Sequence, residues 1–232
     1  MSLIKTNLEL IRTRIAAAAR RTGRAPEEVR FVAVSKKQPV ERINEAFACG
    51  QRLFGENYLQ EAAEKIARLD QGIDWHFIGH LQSNKAGTAA TLFGMIQTVD
   101  RLKIARALDR SLSGSGSGVL PVLIQVNIGR EPQKAGVAPE DCAALLKDIR
   151  DLPNISARGL MVMPPFSADP EQTRPYFRQT RELAFALRAK GLLAVDGGLE
   201  LSMGMSADYE AAIEEGATLI RVGSALFGER KS

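Results

Sequence analysis

The chain has 232 residues, 45% of them hydrophobic and 25% charged, with a formal net charge of +4. That balance supports a packed core and excludes a disordered polyelectrolyte. The basic residues mix with acids, as around Arg178, Arg181, Glu182 and Arg188, and form no run suited to nucleic acid. No apolar run approaches the roughly 20 residues that cross a bilayer, so no membrane partner is expected. Lys5, Glu9, Arg12 and Arg14 interrupt the segment where a secretory leader would be apolar. Cys49 and Cys142 are too few for a disulfide framework and read as thiols of a reducing, cytoplasmic compartment.

Ile4, Leu8, Ile11 and Ile15 recur at helical spacing and predict an amphipathic N-terminal helix within 1–21. Eight short apolar runs then read as strands, at 31–35, 52–54, 75–78, 95–99, 119–126, 156–161, 198–202 and 218–222. Amphipathic helical stretches lie between them at 40–49, 56–69, 83–92, 101–112, 139–151, 171–190 and 207–215. Such alternation argues for parallel strands joined by crossover helices. The expected fold is α/β: one (β/α)8 TIM-type barrel with an extra N-terminal helix, spanning 1–232 as a single domain. A doubly wound sheet fits less well, because polar residues cluster at the ends of many strands and not at one switch point. The SGSGSG run at 113–118 reads as a surface loop of that domain.

In a barrel the chemistry sits where strands end. The first predicted strand ends Val34-Ser35-Lys36-Lys37, and strand alternation places Val32, Val34 and Lys36 on one face. Lys36 is therefore the candidate nucleophilic amine at the barrel mouth, able to form a Schiff base with a carbonyl. A surface lysine pair closing the strand is the alternative. The last two strands end in Ser202-Met203-Gly204-Met205-Ser206 and Arg221-Val222-Gly223-Ser224. Hydroxyls and glycines in these two loops suit a phosphate, with Ser206 expected at the start of a helix. Helix capping and simple turns would account for the same residues. Arg221 is a charge inside an apolar strand and needs a buried partner, either a carboxylate or a ligand atom that only accepts hydrogen bonds. His76 and His80 would stand roughly 13 Å apart along an extended strand, too far to share one metal ion.

A lysine, a phosphate cradle and a strand-borne arginine are together what pyridoxal 5′-phosphate (PLP) requires. The sequence resembles the pyridoxal phosphate homeostasis protein family, small PLP-binding proteins with an alanine-racemase-like barrel. The resemblance rests on Val32-Ala33-Val34-Ser35-Lys36, Phe54-Gly55-Glu56-Asn57-Tyr58, the block from Trp75 to Lys85, Gly159-Leu160-Met161, Ser202-Met203-Gly204-Met205-Ser206, and the segment from Arg221 to Gly228. It implies that Lys36 holds PLP as a Schiff base and that Ser202, Ser206, Gly223 and Ser224 surround the phosphate. It also implies that Arg221 faces the pyridine nitrogen and that Asn57 lies beside the ring. The family commonly carries Ser-Lys-Thr-Lys-Pro after its first strand. Here Ser35-Lys36-Lys37-Gln38-Pro39 sets two lysines side by side, and both strand phase and motif select Lys36.

Two functions follow from the resemblance. The first is a carrier that buffers or delivers PLP without a turnover of its own, with PLP-dependent apo-enzymes as recipients. The alternative is a PLP-dependent amino-acid racemase. Related alanine racemases bring a tyrosine from a second, all-β domain. This sequence ends a few residues after its last strand, and its tyrosines, Tyr58, Tyr176 and Tyr209, fall in predicted helices. A guanidinium partner to the ring nitrogen makes PLP a weak electron sink. A non-enzymatic, monomeric PLP carrier is the expectation.

Overall fold

Eight parallel strands close into a barrel, each hydrogen-bonded to the next in chain order and the last to the first. The strands are β1 (Arg30–Val34), β2 (Leu53–Glu56), β3 (Asp74–Phe77), β4 (Met95–Val99), β5 (Leu120–Val126), β6 (Ile155–Val162), β7 (Glu200–Ser202) and β8 (Leu219–Val222). The helices are α1 (Leu3–Arg21), α2 (Val40–Ala48), α3 (Leu59–Ile66), α4 (Ala86–Leu92), α5 (Leu102–Leu112), α6 (Cys142–Arg150), α7 (Arg174–Ala189), α8 (Tyr209–Glu214) and α9 (Ser224–Phe227). The structure, a computed structural model, describes residues 2–69, 71–114, 116, 118–167, 169–194 and 198–228. Ser115 and Ser117 of the SGSGSG loop lie outside the described residues.

The two-residue period of a strand divides the core in two. Ala33, Phe54, Trp75, Phe77, Ile96, Val122, Ile124, Leu160 and Ile220 point outward and pack with Ile43, Leu108, Leu146 and Phe177 of the surrounding helices. Their neighbours Val32, Leu53, Met95, Leu123, Met161 and Leu219 form a separate cluster that fills the lumen. Each such side chain contributes about 1.5–3 kcal/mol when fully buried. His76, Gln97, Ser202 and Arg221 are buried as well, and they come from the inward positions of β3, β4, β7 and β8.

Helix α1 buries Ile4, Leu8, Ile11, Ile15, Ala18 and Ala19, the stripe its spacing predicts. It is tied to the end of the chain by Asn7, whose side-chain amide donates to the Leu226 carbonyl at 2.9 Å. Just beyond it, Arg24 donates to the carbonyls of Ile213 and Ala217 at 3.1 and 3.0 Å. No helix among the described residues is long and apolar enough to cross a membrane.

Most boundaries differ from the sequence reading by a few residues, and those around Glu56 and Ser206 bear on the site. Strand β2 runs on to Glu56, and α3 starts only at Leu59. Glu56 stays in the strand because its buried carboxylate pairs with Lys65 of α3. Helix α8 starts at Tyr209, since residues 206–208 form a turn first.

Candidate functional site

Strand β1 stops at Val34, and the chain turns at once: the Gln38 N–H donates to the Ser35 carbonyl at 3.0 Å. Lys37 sits in this turn at φ 59°, a left-handed conformation that costs a residue with a side chain about 1–2 kcal/mol. The turn, not strand alternation, is what aims the two lysines. Lys36 is half-buried and lines a cavity, whereas Lys37 is exposed. Beneath the turn, the buried Lys65 Nζ donates to the Ser35 carbonyl and Glu56 Oε1, both at 2.7 Å, and to Glu61 Oε1 at 2.6 Å. Ser35 Oγ donates to Glu56 Oε1 at 2.7 Å, and the Lys37 N–H donates to Glu61. Burial pushes the Glu56 carboxyl up, against the pull of Lys65.

The cavity, of about 510 Å³, opens at the carboxyl ends of the strands. It brings together Lys36, Asn57, Ser206, Arg221, Gly223 and Ser224, six of the seven residues singled out from the sequence. Asn57 follows β2, and its Oδ1 is buried with no hydrogen-bond partner among the described residues. The backbone at Asn57 is seated against Gly79, where a Cβ would lie 2.0 Å from the Asn57 carbonyl oxygen, so only glycine fits there.

Ser202, expected beside the phosphate, is fully buried and does not line the cavity. Its oxygen accepts from Arg221 Nη1 at 2.7 Å, and its single proton goes to Gln97 Oε1 at 2.6 Å. A hydroxyl so engaged has no donor left for an anion.

Ser206 does line the cavity, but it does not begin a helix. The residue before α8 is Asp208, which accepts the Met205 N–H at 2.7 Å. Ser206 Oγ instead accepts from the Ala225 N–H at 3.3 Å, which joins the loop after β7 to α9. Gly204 permits this loop through its φ of 90°, where a side chain would meet Ala212 and Tyr209. Burial raises the Asp208 carboxyl, while the Met205 N–H and Arg221 pull it down.

Arg221 reaches the floor of the cavity from β8, with Nη2 donating to the Val162 carbonyl at 2.8 Å. Its burial lowers the guanidinium to about 10, an effect partly offset by Asp208. The sequence reading did not single out residues 163–167, Met205, Ala207 or Asp208, which supply further wall. It also missed Gln97, although an amide inside Met95-Ile96-Gln97-Thr98-Val99 is the signal that drew attention to Arg221. His76 is buried in the lumen with Nδ1 2.8 Å from Gln97 Nε2, and the exposed His80 lines a neighbouring hollow with Tyr58 and Lys85. No group of three or more metal-ligating side chains occurs among the described residues.

An amine, a donor-only guanidinium, three serines and an asparagine thus line one space. A closed parallel barrel with its lysine after β1 and its arginine on β8 is of the alanine racemase N-terminal-domain class. That family matches residues 6–231. The fold is shared with alanine racemase from Corynebacterium glutamicum at a TM-score of 0.67 and 16% identity, covering 96% of this chain and 61% of that one. The pyridoxal phosphate homeostasis protein of Pseudomonas aeruginosa is 47% identical over 232 residues, 99% of this chain and 97% of its own. PipY of Synechococcus elongatus, whose structure has PLP bound, is 41% identical with a TM-score of 0.81, covering 94% of this chain and 100% of that one. The chain belongs to the pyridoxal phosphate homeostasis protein family.

Proposed function

We propose that this protein binds PLP in the cavity after the strand ends and serves PLP homeostasis, holding the cofactor for buffering or delivery without a dedicated turnover. The observation that carries this reading is the placement of Lys36 and Arg221 on one cavity, amine at the rim and guanidinium at the floor. The residues fit the group. A space of about 510 Å³ is within the roughly 300–1,000 Å³ usual for such ligands, and Asn57, which lines it, carries a buried Oδ1 with no hydrogen-bond partner among the described residues.

PLP supplies a reactive aldehyde and an electron-accepting ring when bound. Lys36 Nζ would hold the aldehyde carbon, and Arg221 would donate to the ring nitrogen. Ser206, Ser224 and the Gly223 backbone would hold the phosphate, and Asn57 would lie beside the ring. Because a guanidinium donates hydrogen bonds without giving up its proton, Arg221 leaves a ring nitrogen unprotonated. Such a site holds the cofactor and does little to stabilise a substrate carbanion.

We further infer a cytoplasmic monomer of one domain over 1–232, with PLP-dependent apo-enzymes as recipients. Two scattered thiols support the reducing compartment, and burial pushes the Cys142 thiol up to about 12, which leaves it unreactive. The match to the alanine racemase domain favours a second reading, an amino-acid racemase. Holo-protein incubated with each common amino acid in deuterated water separates the two. Exchange of stoichiometric cofactor without loss of the α-proton supports the carrier. Catalytic α-deuteration at about 1 s⁻¹ or faster, abolished by Lys36→Ala, overturns it.

A further inference from the structure

The cavity floor is one end of a buried polar chain that crosses the barrel lumen. Arg221 Nη1 donates to Ser202 Oγ at 2.7 Å, Ser202 Oγ donates to Gln97 Oε1 at 2.6 Å, and Gln97 Nε2 meets His76 Nδ1 at 2.8 Å. His76 Nε2 then lies 3.5 Å from Asp74 Oδ2. Ser202, Gln97, His76 and Arg221 are all buried, whereas Asp74 stands half-exposed at the start of β3, the opposite mouth of the barrel.

The amide of Gln97, with Oε1 toward Ser202 and Nε2 toward His76, sets the direction of the inner links, and the donor-only guanidinium and acceptor-only carboxylate set the outer ones. A guanidinium has donors only, so the Ser202 oxygen must accept from Arg221. The one hydroxyl proton is then committed to Gln97 Oε1, which turns the amide nitrogen toward His76. Nδ1 must therefore carry a lone pair, and the ring proton sits on Nε2, facing Asp74. The carboxylate at the end only accepts, and the hydrogen bond from His76 is the main cause that holds Asp74 below the usual carboxylate range. All four links run from Arg221 to Asp74.

We propose that Gln97 and His76 are positioning residues that set the orientation of Arg221 at the cavity floor, and so tune its recognition of an acceptor nitrogen in the bound ring. The inference rests on the PLP reading. Two acceptors, Ser202 Oγ and the Val162 carbonyl, hold the guanidinium. Gln97 is what keeps Ser202 an acceptor in a fixed rotamer. Without Gln97, the hydroxyl turns toward other partners and the guanidinium pivots about its remaining bond. The lumen around the chain is apolar, with Met95, Met161 and Leu219 close by, so an aliphatic residue at position 97 would pack but would not direct Ser202.

The test compares PLP with its carbocyclic analogue, in which C–H replaces the ring nitrogen, by titration of wild type, Gln97→Leu and Gln97→Glu. Wild type should prefer PLP about tenfold or more, the size of a charge-assisted hydrogen bond. Gln97→Leu should lose that preference and shift the absorption band of bound PLP while holding the analogue as well as wild type does. Gln97→Glu, which still accepts from Ser202, should keep most of the preference. Equal weakening of both ligands in Gln97→Leu, or no change in either, overturns the proposal. Should that variant fail to fold, a ¹H–¹⁵N spectrum of wild-type holo-protein decides: a proton on His76 Nε2 with a bare Nδ1 supports the directed chain, and a proton on Nδ1 overturns it. Failure of wild type to bind PLP overturns the cofactor reading instead, and the imidazole tautomer of the apo-protein still judges the chain.

Discussion

Lys65 reaches beneath the first turn and donates its Nζ to the Ser35 carbonyl at 2.7 Å, one residue before the lysine that faces the cavity. On the other side, Glu61 accepts the Lys37 N–H. Both neighbours of Lys36 are thus held by the backbone, which leaves the Lys36 side chain on the cavity wall and sends Lys37 outward. After incubation with PLP and borohydride reduction, peptide mass mapping should find the pyridoxyl group on Lys36. Lys37→Gly, which suits the positive φ, should label the same residue as wild type. A label on Lys37 would refute the assignment.

Removing Lys65 tests the clamp itself. Lys65→Met would leave Glu56 and Glu61 facing one another without their shared cation, and breaking a buried pair in this way costs about 3–5 kcal/mol. Urea unfolding should show a loss of that order, together with a lower yield of the Lys36 adduct. An unchanged midpoint would mean that the cluster contributes nothing to the turn.

The phosphate assignment predicts discrimination between PLP and pyridoxal. Charge-assisted hydrogen bonds contribute about 1.5–3 kcal/mol each, so two of them make PLP bind roughly 10²- to 10⁴-fold more tightly than pyridoxal. Ser206→Ala and Ser224→Ala should each narrow that ratio. Ser202→Ala should leave it unchanged, because the Ser202 hydroxyl is spent on Gln97. Equal affinity for the two compounds, measured by equilibrium titration, would sink the cradle.

Acid stability reports on the ion network behind the barrel. Burial alone would raise the Glu214 carboxyl, but Arg21 at 2.6 Å and Arg174 at 2.8 Å outweigh it and hold it below the ordinary value. A depressed carboxyl stabilises the fold above the unfolded value, near 4.3, and that stability is lost as the pH falls through the folded value. Glu214→Gln should therefore lower Tm by about 2–4 °C at pH 7, discounted for partial solvent exposure. The gap should close toward pH 3, as measured by calorimetry. A gap that stays constant from pH 7 to pH 3 would show that the effect is not ionic.

Local spacing alone made the barrel strands and the N-terminal helix legible. Period-two and period-3.6 spacings are local properties, so the faces of α1 and of strands such as Arg30–Val34 can be read from neighbouring residues alone. Arg221 stood out for the same reason, as a charge among apolar strand neighbours. What the polar side chains do depends on contacts made far along the chain. Ser202 and Gln97 are 105 positions apart, and Lys65 and Ser35 are 30 apart. Whether a serine faces a ligand or serves an arginine depends on which donors the closing of the barrel brings to it. A hydroxyl has one proton to give, and strand register around the lumen, which no local pattern encodes, places Gln97 where it takes the Ser202 proton.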